Sequence, residues 1–319
     1  MKVRSKMYAR IFSAVKSGLL SGLTTALFLV KIMVPVSLAV TLLKWSGILT
    51  WVAHLLGPIM GLVGLPGEAA IVLLSAVLLN VYSAIAVIGT LPLTMREITI
   101  LAIMCLLAHN LIIETAVMKK SGSSAFKMVI LRLGAAVVAA YLFNLVLPPG
   151  QTGVTVIAKA GSSSSEFWPM MAVWGVSTLR LILKILVLVF SIMIGQRLME
   201  EFHIMDYLSR VTAPLMRVLG LSENVSFLWI VINLVGYAYG AAIIMERVND
   251  GKMKPQEADL FNHHAAMFHS TLEDTALFLA IGVPFFWLTV PRISLAMIVV
   301  WFERSRRQRF RKSFKVGTV

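Results

Sequence analysis

The sequence predicts an all-α, polytopic membrane protein built from two homologous halves, and three observations carry that expectation. Hydrophobic residues fill 58% of the 319 positions and charged residues only 14%, with a mean hydropathy of +0.86; no soluble core needs so much apolar sequence. The apolar residues gather into stretches of about 20, the length that crosses a bilayer core at 1.5 Å per residue. The chain also repeats itself. His109-Asn110-Leu-Ile-Ile-Glu114-Thr115-Ala116 aligns with His269-Ser270-Thr-Leu-Glu-Asp274-Thr275-Ala276, an offset of 160 that also pairs Glu97 with Glu257 and Arg132 with Arg292. Pro58 and Gly64-Leu65 match Pro214 and Gly220-Leu221 at an offset of 156, and Thr25-x5-Lys31 matches Thr178-x5-Lys184 at 153. Polar residues kept at matching places inside apolar segments point to two pseudo-symmetric halves around a shared site.

Residues 1–18 form a basic stretch with Lys2, Arg4, Lys6, Arg10 and Lys16, read as a cytoplasmic flank of an uncleaved first span at 19–43, which contains Lys31 and Pro35. Residues 47–64, bounded by glycines, and 204–220, with Asp206, Arg210 and Arg217 on one face, read as amphipathic or partly inserted segments. Further spans are expected at 69–91 with Asn80, 97–118 with the first histidine–acid motif, and 127–147 with Arg132. A Ser/Gly/Pro linker at 148–171, including Ser162–Ser165, joins the halves. The second half then offers spans at 172–196 with Arg180 and Lys184, 225–246, 258–281 and 284–302 with Arg292, before a basic tail at 304–319.

That makes eight clear spans. Four per half would set the repeats parallel and leave Lys119, Lys120 and Lys127 outside, against the positive-inside rule. An odd number of crossings per half would invert the repeats and bring these lysines, Arg247, Lys252, Lys254 and both termini to the cytoplasm. Charge bias thus favours inversion, while the amphipathicity of 204–220 argues against that segment as the extra crossing. The formal charge of +14 sits largely at the two ends, as membrane flanks do, and is not read as a nucleic-acid surface. The one cysteine, Cys105, excludes a disulfide framework within the chain.

Ionisable side chains inside apolar runs mark a site, because a lone charge at mid-bilayer costs about 2.5–3.5 kcal/mol on insertion scales. The candidates are Lys31, Lys184, Arg132 and Arg292 as cations and Glu114 and Asp274 as acids, with His109 and His269 beside them. Asn80, Asn110 and Ser270 add hydrogen-bonding groups. Such a set could hold a small polar or anionic solute, and its histidines and acids could exchange protons. The bland reading is that the charges are interhelical salt bridges that fix packing. Metal binding is a rival on His263, His269, Glu273 and Asp274, but there is no His-x3-His pair and no cysteine cluster. No phosphate loop, Gly-x-Ser-x-Gly elbow or His-Glu-x-x-His motif is present, so neither an enzyme nor a cofactor is expected.

The unit Pro-x5-Gly-Leu, an apolar span carrying Asn80-Val-Tyr-Ser-Ala or Gly236-Tyr-Ala-Tyr-Gly-Ala, a Glu-led span, and His-x4-acid-Thr-Ala resembles the nucleoside-recognition or Gate domain. The resemblance covers both halves, as Gate-like repeats at 19–147 and 172–303. Similar sequences include the spore maturation proteins A and B and, more distantly, the membrane part of the ferrous-iron transporter and the concentrative nucleoside transporters. It implies a multi-pass protein of the bacterial inner membrane with both termini cytoplasmic, acting in transport or gating, with lipid and a small solute as partners and room for a homo-oligomer or a partner membrane subunit. A divalent-ion transporter and a non-transporting envelope or assembly factor are the alternatives.

Overall fold

The computed structural model describes residues 2–148 and 166–316, so most of the expected linker, including Ser162–Ser165, lies outside the described residues. Among these residues all regular structure is helical, as the composition predicts. From the N-terminus come α1 (Lys2–Trp45), α2 (Ile48–Gly61), α3 (Ala69–Leu78), α4 (Val81–Ile88), α5 (Met95–Ala108), α6 (Leu111–Lys120) and α7 (Ala125–Val146). After the linker follow α8 (Phe167–Glu201), α9 (Ile204–Val218), α10 (Ser226–Leu234), α11 (Tyr237–Asn249), α12 (Pro255–Met267), α13 (Thr271–Ala280) and α14 (Phe285–Val316).

Among the described residues five helices are long and apolar enough to cross a membrane: Lys6–Trp45, Met95–Lys120 taken through the α5/α6 junction, Ala125–Val146, Phe167–Glu201 and Phe285–Arg309. The three remaining predicted spans are divided, 258–281 into α12 and α13, neither of which reaches that length. The stretch 69–91 is two short helices, α3 and α4, packed against each other, and 225–246 is the pair α10 and α11. A ten-residue helix is about 15 Å long, half of a bilayer core. Each of these stretches therefore folds back on itself. At the second bend a Cβ at position 240 would come 2.3 Å from the Ile232 side chain, so glycine allows α11 to lie against α10. Hydropathy counts apolar residues and carries no information on direction, which is why both stretches read as spans.

α9 buries Met205, Ser209 and Met216 and exposes Asp206, Arg210 and Arg217, the one-sided pattern read from its sequence. α5 starts with a capping box in which Thr94 and Glu97 satisfy each other's backbone N–H groups.

α1 and α8 lie side by side and antiparallel. Arg10 pairs with Glu201 at 2.5 Å at one end, Ser37 accepts from the Trp174 indole at 3.3 Å, and Trp45 meets Phe167 at the other end. The helices approach closely because a Cβ on Gly18 would fall 2.7 Å from the Ile194 Cα. α7 and α14 are also antiparallel, with Lys127 against Glu303 at one end and the Phe143 and Trp287 rings 5.3 Å apart at the other. α5 and α12 lie at the centre, with almost every residue of α5 buried.

Candidate functional site

The site is made where two helices stop and restart. α5 ends at Ala108, His109 is extended, and Asn110 has φ 47°, ψ 35° before α6 begins. α12 and α13 are interrupted likewise, with Ser270 at φ 49°, ψ 36°. The left-handed region is uncommon outside glycine, and asparagine tolerates it better than most residues. No proline or glycine marks either break; the signal is a polar pair, His-Asn or His-Ser, inside an apolar run.

Interrupting a helix leaves carbonyls without intrahelical donors, which must be satisfied in a buried place. Arg132 of α7 does this for α5, donating from Nε to Leu107 O at 2.9 Å and from Nη2 to His109 O at 2.7 Å. Arg292 of α14 does the same for α12, with Met267 O at 3.3 Å and His269 O at 2.7 Å. Both guanidinium groups are fully buried. They also place positive charge at the negative ends of α5 and α12, while Glu114 and Asp274 stand in the first turns of α6 and α13, where the helix dipole favours an acid.

The two breaks meet. The His109 and His269 rings have centroids 5.2 Å apart. His109 Nε2 lies 3.3 Å from Glu114 Oε1 and 3.4 Å from Asp274 Oδ2, and His269 Nε2 lies 3.4 Å from Glu114 Oε1. Glu114 Oε2 pairs with Arg132 Nη1 at 2.8 Å. Aspartate is one methylene shorter, and among the described residues Arg292 has no ion pair equivalent to that of Arg132 with Glu114. The bends of the short helix pairs close on the same point: Asn110 N–H donates to Ala76 O and Ser270 N–H to Ile232 O, each at 2.8 Å. The Tyr82 hydroxyl donates to Glu273, and the Tyr237 hydroxyl to Asn262 Oδ1 at 2.9 Å.

Of the residues expected from sequence, His109, Asn110, Glu114, Arg132, His269, Ser270, Asp274 and Arg292 come together here. Asn80 caps α4, accepting from Ser83 N–H at 2.9 Å. Lys31 and Lys184 do not join the cluster. Both are exposed on α1 and α8, and neither makes a hydrogen bond or ion pair among the described residues. Leu29, Met33 and Ser37 carry the buried face of α1, and Lys31 lies about half a turn away from it. In the metal alternative, Glu273 is taken by Tyr82, and His263 lies apart from His269, beside Asp259 and Glu303. Tyr82 and Tyr237 were not singled out from sequence; a tyrosine in an apolar segment reads as packing until its hydroxyl is seen to have a partner.

The sequence model of the family described as nucleoside recognition (Gate) matches residues 26–125. The Bacillus subtilis (strain 168) protein named "Uncharacterized membrane protein YvoD" is 33% identical over 267 residues, covering 83% of this chain and 86% of that protein. The chain belongs to the nucleoside-recognition (Gate) family of membrane proteins. A shorter similarity links this Gate protein to the Escherichia coli (strain K12) "Inner membrane protein YjiG", 46% identical over 63 residues, which are 18% of this chain and 40% of that protein. No solved structure matches it.

Proposed function

We propose that this Gate protein moves a small polar solute across the bacterial inner membrane through the junction of two inverted repeats, α1–α7 and α8–α14. The observation that carries the reading is the doubled constellation at the helix breaks, in which each half contributes a histidine, an acid and a carbonyl-binding arginine to one buried point. A structural salt bridge needs no second copy, whereas a two-fold solute site tends to have one. Broken helices at mid-membrane offer carbonyls and helix N-termini to a solute, and irregular backbone persists there only where protein or a cavity satisfies it.

Helix direction supports the inverted reading. α1 and α8 occupy equivalent places in the two halves and run antiparallel, as do α7 and α14. Counting α1, α5/α6 and α7 as crossings and α3/α4 as a re-entrant hairpin gives three per half and six in all. Both termini, Lys119, Lys120, Lys127, Arg247, Lys252 and Lys254 then share the cytoplasmic side, which agrees with the positive-inside rule. On this reading the eight spans expected from sequence reduce to six, the five long apolar helices together with α12/α13.

An anionic solute has less support than a neutral or cationic one. Lys31 and Lys184 are outside the cluster, Arg132 already binds two carbonyls and pairs with Glu114, and Glu114, Glu273 and Asp274 outnumber the two arginines. Proton coupling is chemically available through the histidines and acids. A thermal-shift screen of purified protein against nucleosides, amino acids, carboxylates and divalent cations tests for a site, because a ligand of the native state stabilises it by RT ln(1 + [L]/Kd). The expected result is a stabilising class whose effect disappears in a folded Asp274→Asn protein. No stabilising class, together with a strongly destabilised Asp274→Asn, would instead assign the charges to packing.

A further inference from the structure

We infer that the central cluster is a binding site for one divalent transition-metal ion of the zinc or cobalt kind, held by His109 Nε2, His269 Nε2 and Asp274 Oδ2, with Glu114 beside the two histidines. The inference rests on the reading of this junction as the functional site and names an ion that it takes.

The argument starts from tautomers. His109 Nδ1 is 3.0 Å from Cys105 O and His269 Nδ1 is 2.6 Å from Ala265 O. A carbonyl oxygen only accepts, so each Nδ1 carries the hydrogen and each neutral ring presents a bare lone pair at Nε2. Both lone pairs face carboxylate oxygens, which are acceptors too. Acceptors turned towards one another in a buried site need a proton or a metal ion between them. His269 Nε2 and Asp274 Oδ2 accordingly have no hydrogen-bond partner, although His269 is fully buried and Asp274 is only 6% exposed.

The spacing leaves room for a metal ion. A charged imidazolium bonding a carboxylate would bring N and O to about 2.7–2.9 Å. The three separations here are 3.3, 3.4 and 3.4 Å. Ligands about 2.0–2.1 Å from a tetrahedral centre stand about 3.3–3.4 Å apart, which the His109–Asp274 separation matches, while His269 would have to close on Asp274 from a separation of up to 4.8 Å. His109, His269 and Asp274 offer ligand atoms that all lie within 4.8 Å of one another. Backbone carbonyls behind both imidazoles, with Arg132 behind Glu114, supply the outer support that ligating groups ordinarily have. Two imidazole nitrogens and a carboxylate oxygen suit zinc, cobalt, iron or nickel better than magnesium or calcium, which prefer an all-oxygen set.

The test is a Co2+ titration of purified, chelator-treated full-length protein in detergent, read by visible absorption and by metal content after desalting. One Co2+ per chain with the intense visible bands of a tetrahedral nitrogen–oxygen site is expected. The signal should be lost in His109→Gln and His269→Gln and kept in His263→Ala, which removes a member of the other buried His-acid group, Asp259, His263 and Glu303. Asp274→Glu is the fold-preserving check. Its longer side chain can reach Arg292, leave His109, and weaken Co2+ binding tenfold or more with unchanged thermal stability. Absence of Co2+ binding by folded wild-type protein would overturn the inference, as would binding that survives in both histidine variants or unweakened binding in Asp274→Glu. A stabilising organic solute without Co2+ binding would sink the metal site and leave the transport reading standing; Co2+ binding without flux of any solute would do the reverse.

Discussion

Arg132 and Arg292 hold equivalent places and carry unequal loads. Each satisfies two carbonyls at a helix break, but only Arg132 closes an ion pair, with Glu114 at 2.8 Å. Breaking a buried pair by removing one partner costs about 3–5 kcal/mol, because the other charge is left uncompensated. Arg132→Met should therefore lower the apparent Tm in detergent more than Arg292→Met, and equal losses would show that carbonyl binding dominates at both. These residues were legible in the sequence because each is a charge in an apolar run with a partner at the same offset. Lys31 and Lys184 satisfy that rule equally and still point outward. Repetition reports that a residue is equivalent in two halves, and only the buried stripe of its helix reports which way it faces.

At the scale of elements, the long helices set the frame on which the breaks are held. α1 and α8 can approach because Gly18 meets Ile194 backbone, which cannot yield as a side-chain tip can. Gly18→Leu should destabilise the protein by about 1–3 kcal/mol, the usual cost of overpacking. Gly134→Ala, where nothing lies within 4 Å, should gain about 0.5–1 kcal/mol from helix propensity. Parallel thermal melts compare them, and a neutral Gly18→Leu would contradict the close crossing. The amphipathic α9 was legible because its charges share one face. The hairpins α3/α4 and α10/α11 were not, since an apolar stretch of some 20 residues has the same composition whether it crosses or turns back. Asn80 and Gly236, at the bends, were the available signal: one caps a helix start and the other has φ 116°.

Across the whole molecule the two ends of the α7/α14 pair differ in chemistry. At the end assigned to the cytoplasm, Glu303 is 2% exposed and accepts from Lys127, Arg306 and Arg307, while Arg307 also pairs with Asp259. At the opposite end the equivalent contact is Phe143 on Trp287. Charge pairs near water are screened by salt and aromatic contacts are not. Added salt should thus lower the Tm of wild type and scarcely move that of Glu303→Gln; a wild type indifferent to salt would show that this end is not held by charge. The all-helical class was readable from sequence, whereas the direction of each half required helices whose ends could be matched.

The central claim is that the paired breaks carry a solute across the membrane. Its most direct test is flux into proteoliposomes of labelled nucleosides, amino acids, carboxylates and Zn2+, with wild type and Asp274→Asn reconstituted at equal folded amounts. Saturable uptake of at least one solute by wild type, abolished in the variant, is the predicted result. No uptake of any solute, or equal uptake by both proteins, would contradict the account.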